Sequence, residues 1–468
     1  MKKIIIFLAL VLVLSGGLIT LIVLGNPFSP QEHTDYDISN DIEIADAQEE
    51  IPYIMSEADE TYDYAYDNDS AEDEELPDFL EYPYPPPTED EIAHTYYADD
   101  VEVDQLTDFE ILTATQLVAN IRMGWVLGNT FDAHENMRSP ESMSVRDMET
   151  RWIRHVTTQQ HFDIVREAGF NAVRIPVTWY KATDLNYNIR EDWMARIVEV
   201  VGYAVNNDMY IVLNTHHDEA IFKLHDDEME ETKIALARVW EQIALTFREF
   251  NEKLIFEGLN EPRTLGSPNE WRGGTEEERE NLNILNQLFV DTVRSTGGNN
   301  SERVLMIPTY AASGSEVAQR GLRIPNDTVE DRIIVSLHVY SPWEFALRTG
   351  HEGTWTTWDE NDPRYTRQVT TPIDLAYELF VSQGIPVIMG EMGAINRGNT
   401  EARTRWAEFY VAYARSRGIP CFWWDNYRST VVEELPWGWT QPFGLLDRGN
   451  NVFFFPEIIE ALMRGAGD

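Results

Sequence analysis

The 468-residue chain has a single cysteine, Cys421. Neither an intrachain disulfide framework nor a cysteine-based zinc or iron–sulfur centre can be assembled from it. Basic residues are also scarce: 36 Lys+Arg stand against 81 Asp+Glu, a formal net charge of -45. A chain this acidic repels phosphate backbones, which speaks against nucleic-acid binding. The shortage is local. Residues 31–110 hold 29 acidic residues and no Lys or Arg, whereas 111–468 hold 34 basic against 52 acidic. No Gly-x-Gly-x-x-Gly follows the first predicted strand and no His-Glu-x-x-His occurs, so the simplest dinucleotide and zinc-hydrolase signatures are missing. What the chain does have is a 43% hydrophobic composition, 12% aromatics and 14 Trp, enough for a sizeable core.

Three regions follow from this distribution. Residues 1–30 open with Met1-Lys2-Lys3 and run apolar from Ile4 to Leu24, broken by Ser15-Gly16-Gly17 and Thr20. A short positive region before an apolar run is an export signal, and this run is long enough to cross a bilayer. Two expectations stand open: cleavage near Gly25, or retention of 4–24 as an anchor with the lysines on the cytoplasmic side. Either makes the protein secreted or held at the cell surface. Residues 31–110 carry a Tyr-Asp repeat (Tyr62 to Asp67) and Pro85-Pro86-Pro87. Their self-repulsion and weak apolar periodicity predict a linker without a packed core, acting as a spacer. Residues 111–468 form the third region.

That region alternates short apolar runs with amphipathic stretches. From Thr157, Phe162, Val165 and Ala168 sit at helical spacing, Gly169 stops the helix, and Asn171 to Ile175 reads as a buried strand. Trp406, Phe409, Tyr410 and Tyr413 mark another helix, which Gly418 ends before a strand from Ile419 to Trp424. A third helix is predicted to begin at Thr371-Pro372. Gly384-Ile385-Pro386 and Gly418-Ile419-Pro420 are the same junction used twice. Eight strands are predicted near 121–127, 171–177, 209–215, 254–260, 303–309, 332–340, 386–391 and 419–424. Strands so apolar are buried on both faces, as in a parallel sheet. Eight strand–helix units predict an α/β fold, a (β/α)8 TIM barrel, with a doubly wound open sheet as the alternative.

Barrel chemistry sits at the C-terminal ends of strands, and here those ends are polar or aromatic in the same phase: Arg174, His216, Asn260-Glu261, His338 to Tyr340, Glu391, and Trp424 with Asp425. Glu261 and Glu391 stand out as a carboxylate pair of the kind glycoside hydrolysis requires, one protonated to donate and one ionised to attack. Arg174 is placed to hold one of them ionised. His216 and His217 are adjacent and point to opposite strand faces, which disfavours a shared metal; His216 is the substrate-orienting candidate and His217 a supporting one. No metal or cofactor is expected. Trp125, Trp179, Trp343, Trp423 and Trp424 lie at or near the same rim, and aromatic faces stack on sugar rings. Strand alternation would place one of Trp423 and Trp424 in the core.

Residues from about 120 to 460 resemble glycoside hydrolase family 5, in its bacterial endoglucanase and xyloglucanase branch. The resemblance is carried by Met123-Gly124-Trp125-Val126-Leu127-Gly128-Asn129-Thr130, by Gly169 to Trp179, and by Leu213-Asn214-Thr215-His216-His217. Leu259-Asn260-Glu261-Pro262-Arg263, Pro308 to Ser313, His338-Val339-Tyr340-Ser341-Pro342, Gly390-Glu391-Met392-Gly393-Ala394 and Trp423-Trp424-Asp425-Asn426 complete it. The segment Glu149 to His155 and Met392 depart from the pattern of that branch. The resemblance implies a retaining barrel hydrolase acting on a β-1,4-glucan polysaccharide, with Glu261 as acid/base and Glu391 as nucleophile. It further implies Asn260 on the 2-hydroxyl, Arg174 and Tyr340 orienting Glu391, His216 and His338 lining the reacting-sugar subsite, and Trp424 stacking beneath it. A mannan or xylan hydrolase and a non-catalytic carbohydrate-binding barrel are the alternatives.

Overall fold

The computed structural model describes residues 109–134, 143–349, 355–431 and 441–467. The expected export or anchor segment, and all but the last two residues of the acidic stretch, lie outside the described residues. Eight strands pair in sequence order, all parallel, and the last closes on the first. They are β1 (Gly124–Leu127), β2 (Ala172–Ile175), β3 (Tyr210–Asn214), β4 (Leu254–Glu257), β5 (Leu305–Ser313), β6 (Ile333–His338), β7 (Val387–Met392) and β8 (Cys421–Asp425). The helices are α1 (Ala114–Asn120), α2 (Val145–Glu149), α3 (Gln159–Glu167), α4 (Glu191–Asn206), α5 (Met229–Thr246), α6 (Glu276–Ser295), α7 (Glu316–Gly321), α8 (Trp343–Ala346), α9 (Pro363–Leu379), α10 (Thr400–Ser416) and α11 (Pro456–Gly465). A two-stranded hairpin, Leu446–Asp447 with Val452–Phe453, follows β8. This is the predicted (β/α)8 barrel, and the closed sheet removes the open-sheet alternative.

Strand alternation sorts the side chains into two buried sets. Val126, Ala172, Val212, Ile255, Met306, Ile334, Ile388 and Phe422 form one cluster inside the barrel. Their neighbours Trp125, Val173, Leu213, Phe256, Ile307, Val335, Met389 and Trp423 join the cluster shared with the surrounding helices. The next inward positions up the strands are Arg174, Asn214, Glu257, Ser336 and Trp424, so the barrel turns polar toward its C-terminal mouth. Helix α1 supplies Ala114, Leu117 and Val118, with Ile121, to the inner cluster and so closes the opposite end. Its partners there all precede strands: Ala114 N–H donates to Asp331 O, Thr115 Oγ1 to Gly384 O, and Asn171 Nδ2 to Asn120 O.

Capping residues start several helices. Thr275 and Glu278 form a capping box on α6, with Glu276, Glu277 and Glu278 in its first turn, where carboxylates meet the helix dipole. One predicted start is wrong. Helix α9 begins at Pro363, capped by Asp362, and runs through Pro372. A proline inside a helix frees the carbonyl four residues back. Here that carbonyl belongs to Gln368, and Ser341 Oγ donates to it at 2.5 Å. The helix continues because a loop hydroxyl takes the missing donor's place.

Register shifts between β5 and β6, β6 and β7, and β7 and β8 all fall at the upper parts of the strands. Bulges there re-aim side chains toward the mouth.

Candidate active site

Arg174, on β2, is wholly buried and is the hub of the mouth. Its Nη1 donates to Glu391 Oε1, its Nε to Glu257 Oε2 and its Nη2 to Asn260 Oδ1, each at 2.7 Å. A planar fork with five donors is what allows three acceptors to be served at once. Tyr340 donates its hydroxyl to the other oxygen of Glu391 at 2.8 Å. Burial first, then the charge of Glu391, pushes the Tyr340 phenol well above its ordinary range, so it remains a donor. Both oxygens of Glu391 are thus acceptors, and the side chain is nearly enclosed at 7% exposure.

Glu261 follows β4 and faces this group. His338 Nδ1, at the end of β6, lies 2.8 Å from Glu261 Oε1 and 3.7 Å from Glu391 Oε2. Carboxylate oxygens of the two glutamates approach within 4.8 Å. Burial raises the Glu261 carboxyl, but the His338 hydrogen bond and the charges of His338, Arg263 and His217 outweigh it, and the net direction is down. Gly390 matters at this point: a Cβ there would lie 2.9 Å from Ser336 Oγ and 3.1 Å from His338 Nε2.

Trp424, inward on β8, stacks parallel to His216, with centroids 5.6 Å apart and a 5° interplanar angle. Gly128 makes room for it, since a Cβ would meet the indole at 2.8 Å. Burial, then the charges of His217, Arg174 and His338, drive His216 well below its usual value, so its imidazole is neutral. Asn214 Nδ2 sits 3.2 Å from His216 Nδ1, and Asn214 Oδ1 accepts from Val177 N–H. His217 is half-buried and faces Glu219 at 3.7 Å and the His134 ring at 4.5 Å. Burial lowers it, but the hydrogen bond and charge of Glu219 bring its net direction up.

Three sequence expectations need correction. His216 and His217 lie beyond the end of β3 and do not point to opposite faces, their rings being 4.4 Å apart. Trp125 and Trp179 are fully buried and offer no face to a ligand. Trp125 is on the helix side of β1 by alternation, its indole N–H donating to Asp425 Oδ2. Trp179 is packed in the cluster shared with the helices, its indole N–H donating to Asn214 O. Trp423 is likewise in the core, donating to Phe443 O. Trp343 heads α8, half-buried, with the Arg348 guanidinium over its ring at 5.0 Å.

Sequence reasoning quoted Asn214 without giving it a role and passed over Glu257. Glu257 is wholly buried and accepts from Arg174 and, at 2.6 Å, from Ser336 Oγ. The one signal in the sequence was a charged residue in an inward phase of an apolar strand.

Two groups of side chains lie close enough together to suggest an ion. Among the described residues these are Glu261, His338 and Glu391, and Asp132, His216 and His217. Hydrogen bonds already engage part of each group. The oxygens of Glu391 accept from Arg174 and Tyr340, Glu261 meets His338, and the Asp132 carboxylate accepts from Asn129 and Thr130 N–H.

A family model described as cellulase, glycosyl hydrolase family 5, matches residues 135–429. Endoglucanase A of Clostridium longisporum is 40% identical over 355 residues, which span 75% of this chain and 66% of that protein, just under two thirds of its length. A broad-specificity endoglucanase from Ruminococcus champanellensis, solved with bound cellotriose, is 42% identical with a TM-score of 0.72, covering 76% of this chain and 100% of that one. A mutant lichenase from Caldicellulosiruptor sp. F32, solved with cellotetraose, is 38% identical with a TM-score of 0.71, covering 77% of this chain and 96% of that one. The family match, together with a closed parallel barrel whose mouth holds two facing glutamates, settles the descent: the chain belongs to the cellulase family, glycosyl hydrolase family 5.

Proposed function

We propose that the protein is a retaining endo-β-1,4-glucanase in which Glu391 attacks the anomeric carbon and Glu261 serves as acid, then base. The observation that carries this is the approach of the two carboxylates to within 4.8 Å across the barrel mouth. Direct attack by a carboxylate requires a separation of about 5–5.5 Å between the groups, whereas an inverting pair leaves room for water. Glu391 has both oxygens held by Arg174 and Tyr340, which aims an ionised group without donating it a proton. Glu261 has one neighbour on its carboxylate at 2.8 Å, His338, and the departing oxygen competes with that imidazole for the proton. Once Glu391 is esterified its charge is gone, and the nearby Glu261 ionises more readily to activate water. Asn260 gives its Oδ1 to Arg174, which leaves its amide N–H group for the 2-hydroxyl of the reacting sugar. Trp424, stacked on neutral His216, offers the floor on which that sugar rests.

The relatives solved with cellotriose and cellotetraose support a β-glucan substrate. A polymer of that kind is met outside the cell, and the apolar run 4–24 behind Lys2-Lys3 is the feature by which the chain would be exported or tethered. Mass spectrometry of the mature N-terminus separates the two.

Reducing-sugar release from carboxymethyl cellulose, xyloglucan, lichenan, mannan and xylan tests the reading. Glu261→Gln and Glu391→Gln are expected to fold and to lose nearly all hydrolysis, and NMR of the first product to show a retained anomeric configuration. Near-normal turnover by either variant removes that residue from its role. Hydrolysis confined to mannan or xylan changes the substrate, and loss of activity on chelation would bring a metal into the reaction.

A further inference from the structure

The loop after β4 carries a cation that this mechanism leaves unused. Arg263 has only 10% of its side chain exposed. Its Nη1 donates to the main-chain carbonyl of Glu261 at 2.8 Å and lies 3.0 Å from Glu219 Oε1, and its Nε meets Glu270 Oε1 at 3.1 Å. One face of the guanidinium is packed on Trp271, 4.5 Å from the ring centroid. Its distance to the Glu261 carboxylate is longer, 3.6 Å.

The two glutamates are therefore treated differently by their arginines. Glu391 is gripped by Arg174 at 2.7 Å. Glu261 faces a guanidinium at 3.6 Å that is already committed to two other carboxylates. A nucleophile gains from a close, permanent counter-charge. A group that must be protonated in one step and ionised in the next needs a cation near enough to orient it and too occupied to lock it in the charged form. Resting on the acid/base reading of Glu261, we infer that Arg263 is a positioning residue for that carboxylate. It fixes the main chain from which the side chain springs, and sets the highest pH at which the leaving group still receives its proton.

Other charged and titratable groups face Glu261 as well. They are His338 at the end of β6, Tyr340 beyond it, Glu391 on β7, and His217 with Glu219 beyond β3. Arg174 reaches the adjacent Asn260, and Glu270 is on the same loop as Arg263. Removing the Arg263 charge leaves Glu270 without this counter-charge and Glu219 with His217 alone. Both changes disfavour an ionised Glu261, so the sign is fixed: the protonated acid persists to higher pH.

The test is the pH profile of kcat/KM on two β-cellobiosides. One carries a poor aryl leaving group, and the other a dinitrophenyl group whose departure needs little protonation. Arg263→Met is expected to move the alkaline limb for the poor leaving group upward by about half a unit or more, with a several-fold lower kcat/KM, while kcat/KM for the dinitrophenyl substrate changes little. Arg263→Lys restores the charge and returns the limb toward wild type. It does not restore kcat/KM on the poor leaving group, because an ammonium cannot serve the three acceptors as a planar fork does. An unmoved limb with equal losses on both substrates overturns the inference in favour of a purely structural arginine. If Arg263→Met fails to fold, Arg263→Lys decides alone: selective loss on the poor leaving group supports the role, and equal loss on both overturns it. Glu261→Gln in the same assay keeps the two readings apart. If it retains turnover of the poor leaving group the parent mechanism fails, and if it loses that turnover while the Arg263→Met limb stays put, only this inference fails.

Discussion

Arg174 shows how much one side chain can be asked to do. Three carboxylate or amide acceptors converge on its fully buried guanidinium. Arg174→Lys keeps a charge but can no longer span Glu257, Asn260 and Glu391. Because it strands a buried carboxylate, a loss of about 3–5 kcal/mol in unfolding free energy is expected, measured by denaturant titration, together with loss of hydrolysis. Glu257→Gln is subtler. It keeps an acceptor for Arg174 but removes the counter-charge, so the guanidinium shifts toward Glu391. A fall in kcat of about 10–100-fold with little change in KM is expected, from misplacement of reacting atoms. Asp218 gives a stability signature. Its Oδ1 accepts from Trp179 and Tyr180 N–H, its Oδ2 has no hydrogen-bond partner among the described residues, and burial above all pushes the carboxyl up to about 7. A raised carboxyl binds its proton more tightly in the folded state, so its contribution is present at low pH and is lost as pH rises from about 4 to 7. Melting curves of Asp218→Asn should therefore gain on wild type steadily across that window. A constant gap would mean the carboxyl is ionised throughout.

Single residues also explain what the sequence could and could not disclose. Glu261 and Glu391 were legible because each ends an apolar run in a chain with eight such runs in phase. The tryptophans were not legible as a group, because proximity to the rim says nothing about which side of the strand a ring takes. Alternation places Trp424 inward beside His216 and Trp125 outward against Phe162, though β8 and β1 are neighbours. Glu257 escaped notice because its meaning depends on Arg174, 83 residues away and known only once the strands are paired.

At the scale of elements, the strands were found almost entirely from apolar runs and Gly-bounded turns, while the boundaries of α9 were misjudged. Pro372 is read as a helix start because a local rule has no knowledge of Ser341, which supplies the missing donor from another loop and lets the helix begin earlier. Helix α1 was not foreseen as a distinct element either, since seven residues carry too little periodicity. Its position makes it consequential. Leu117 is fully buried against the inward residues of the strands. Leu117→Ala should cost about 2–5 kcal/mol in stability, seen in thermal or denaturant unfolding, and leave KM for a soluble glucan unchanged, because the cavity opens at the end of the barrel away from the mouth.

For the whole molecule, charge is the dominant property. A net charge of -45 repels an anionic polymer and ignores a neutral one. Turnover of carboxymethyl cellulose at limiting substrate should therefore rise as salt is added from about 0.01 to 0.15 M, as the screening length shortens. The same change should leave lichenan turnover nearly flat, and parallel salt responses would show that the acidic surface plays no part in approach.

The plug formed by α1 fixes the polarity of everything upstream. The chain enters the catalytic body through the barrel's base, beside the segments that lead into β6 and β7, while Glu261 and Glu391 open on the far side. Whatever precedes Phe109 is therefore joined at the end of the barrel opposite the catalytic mouth. The two glutamates thus face away from the point at which the upstream chain is attached.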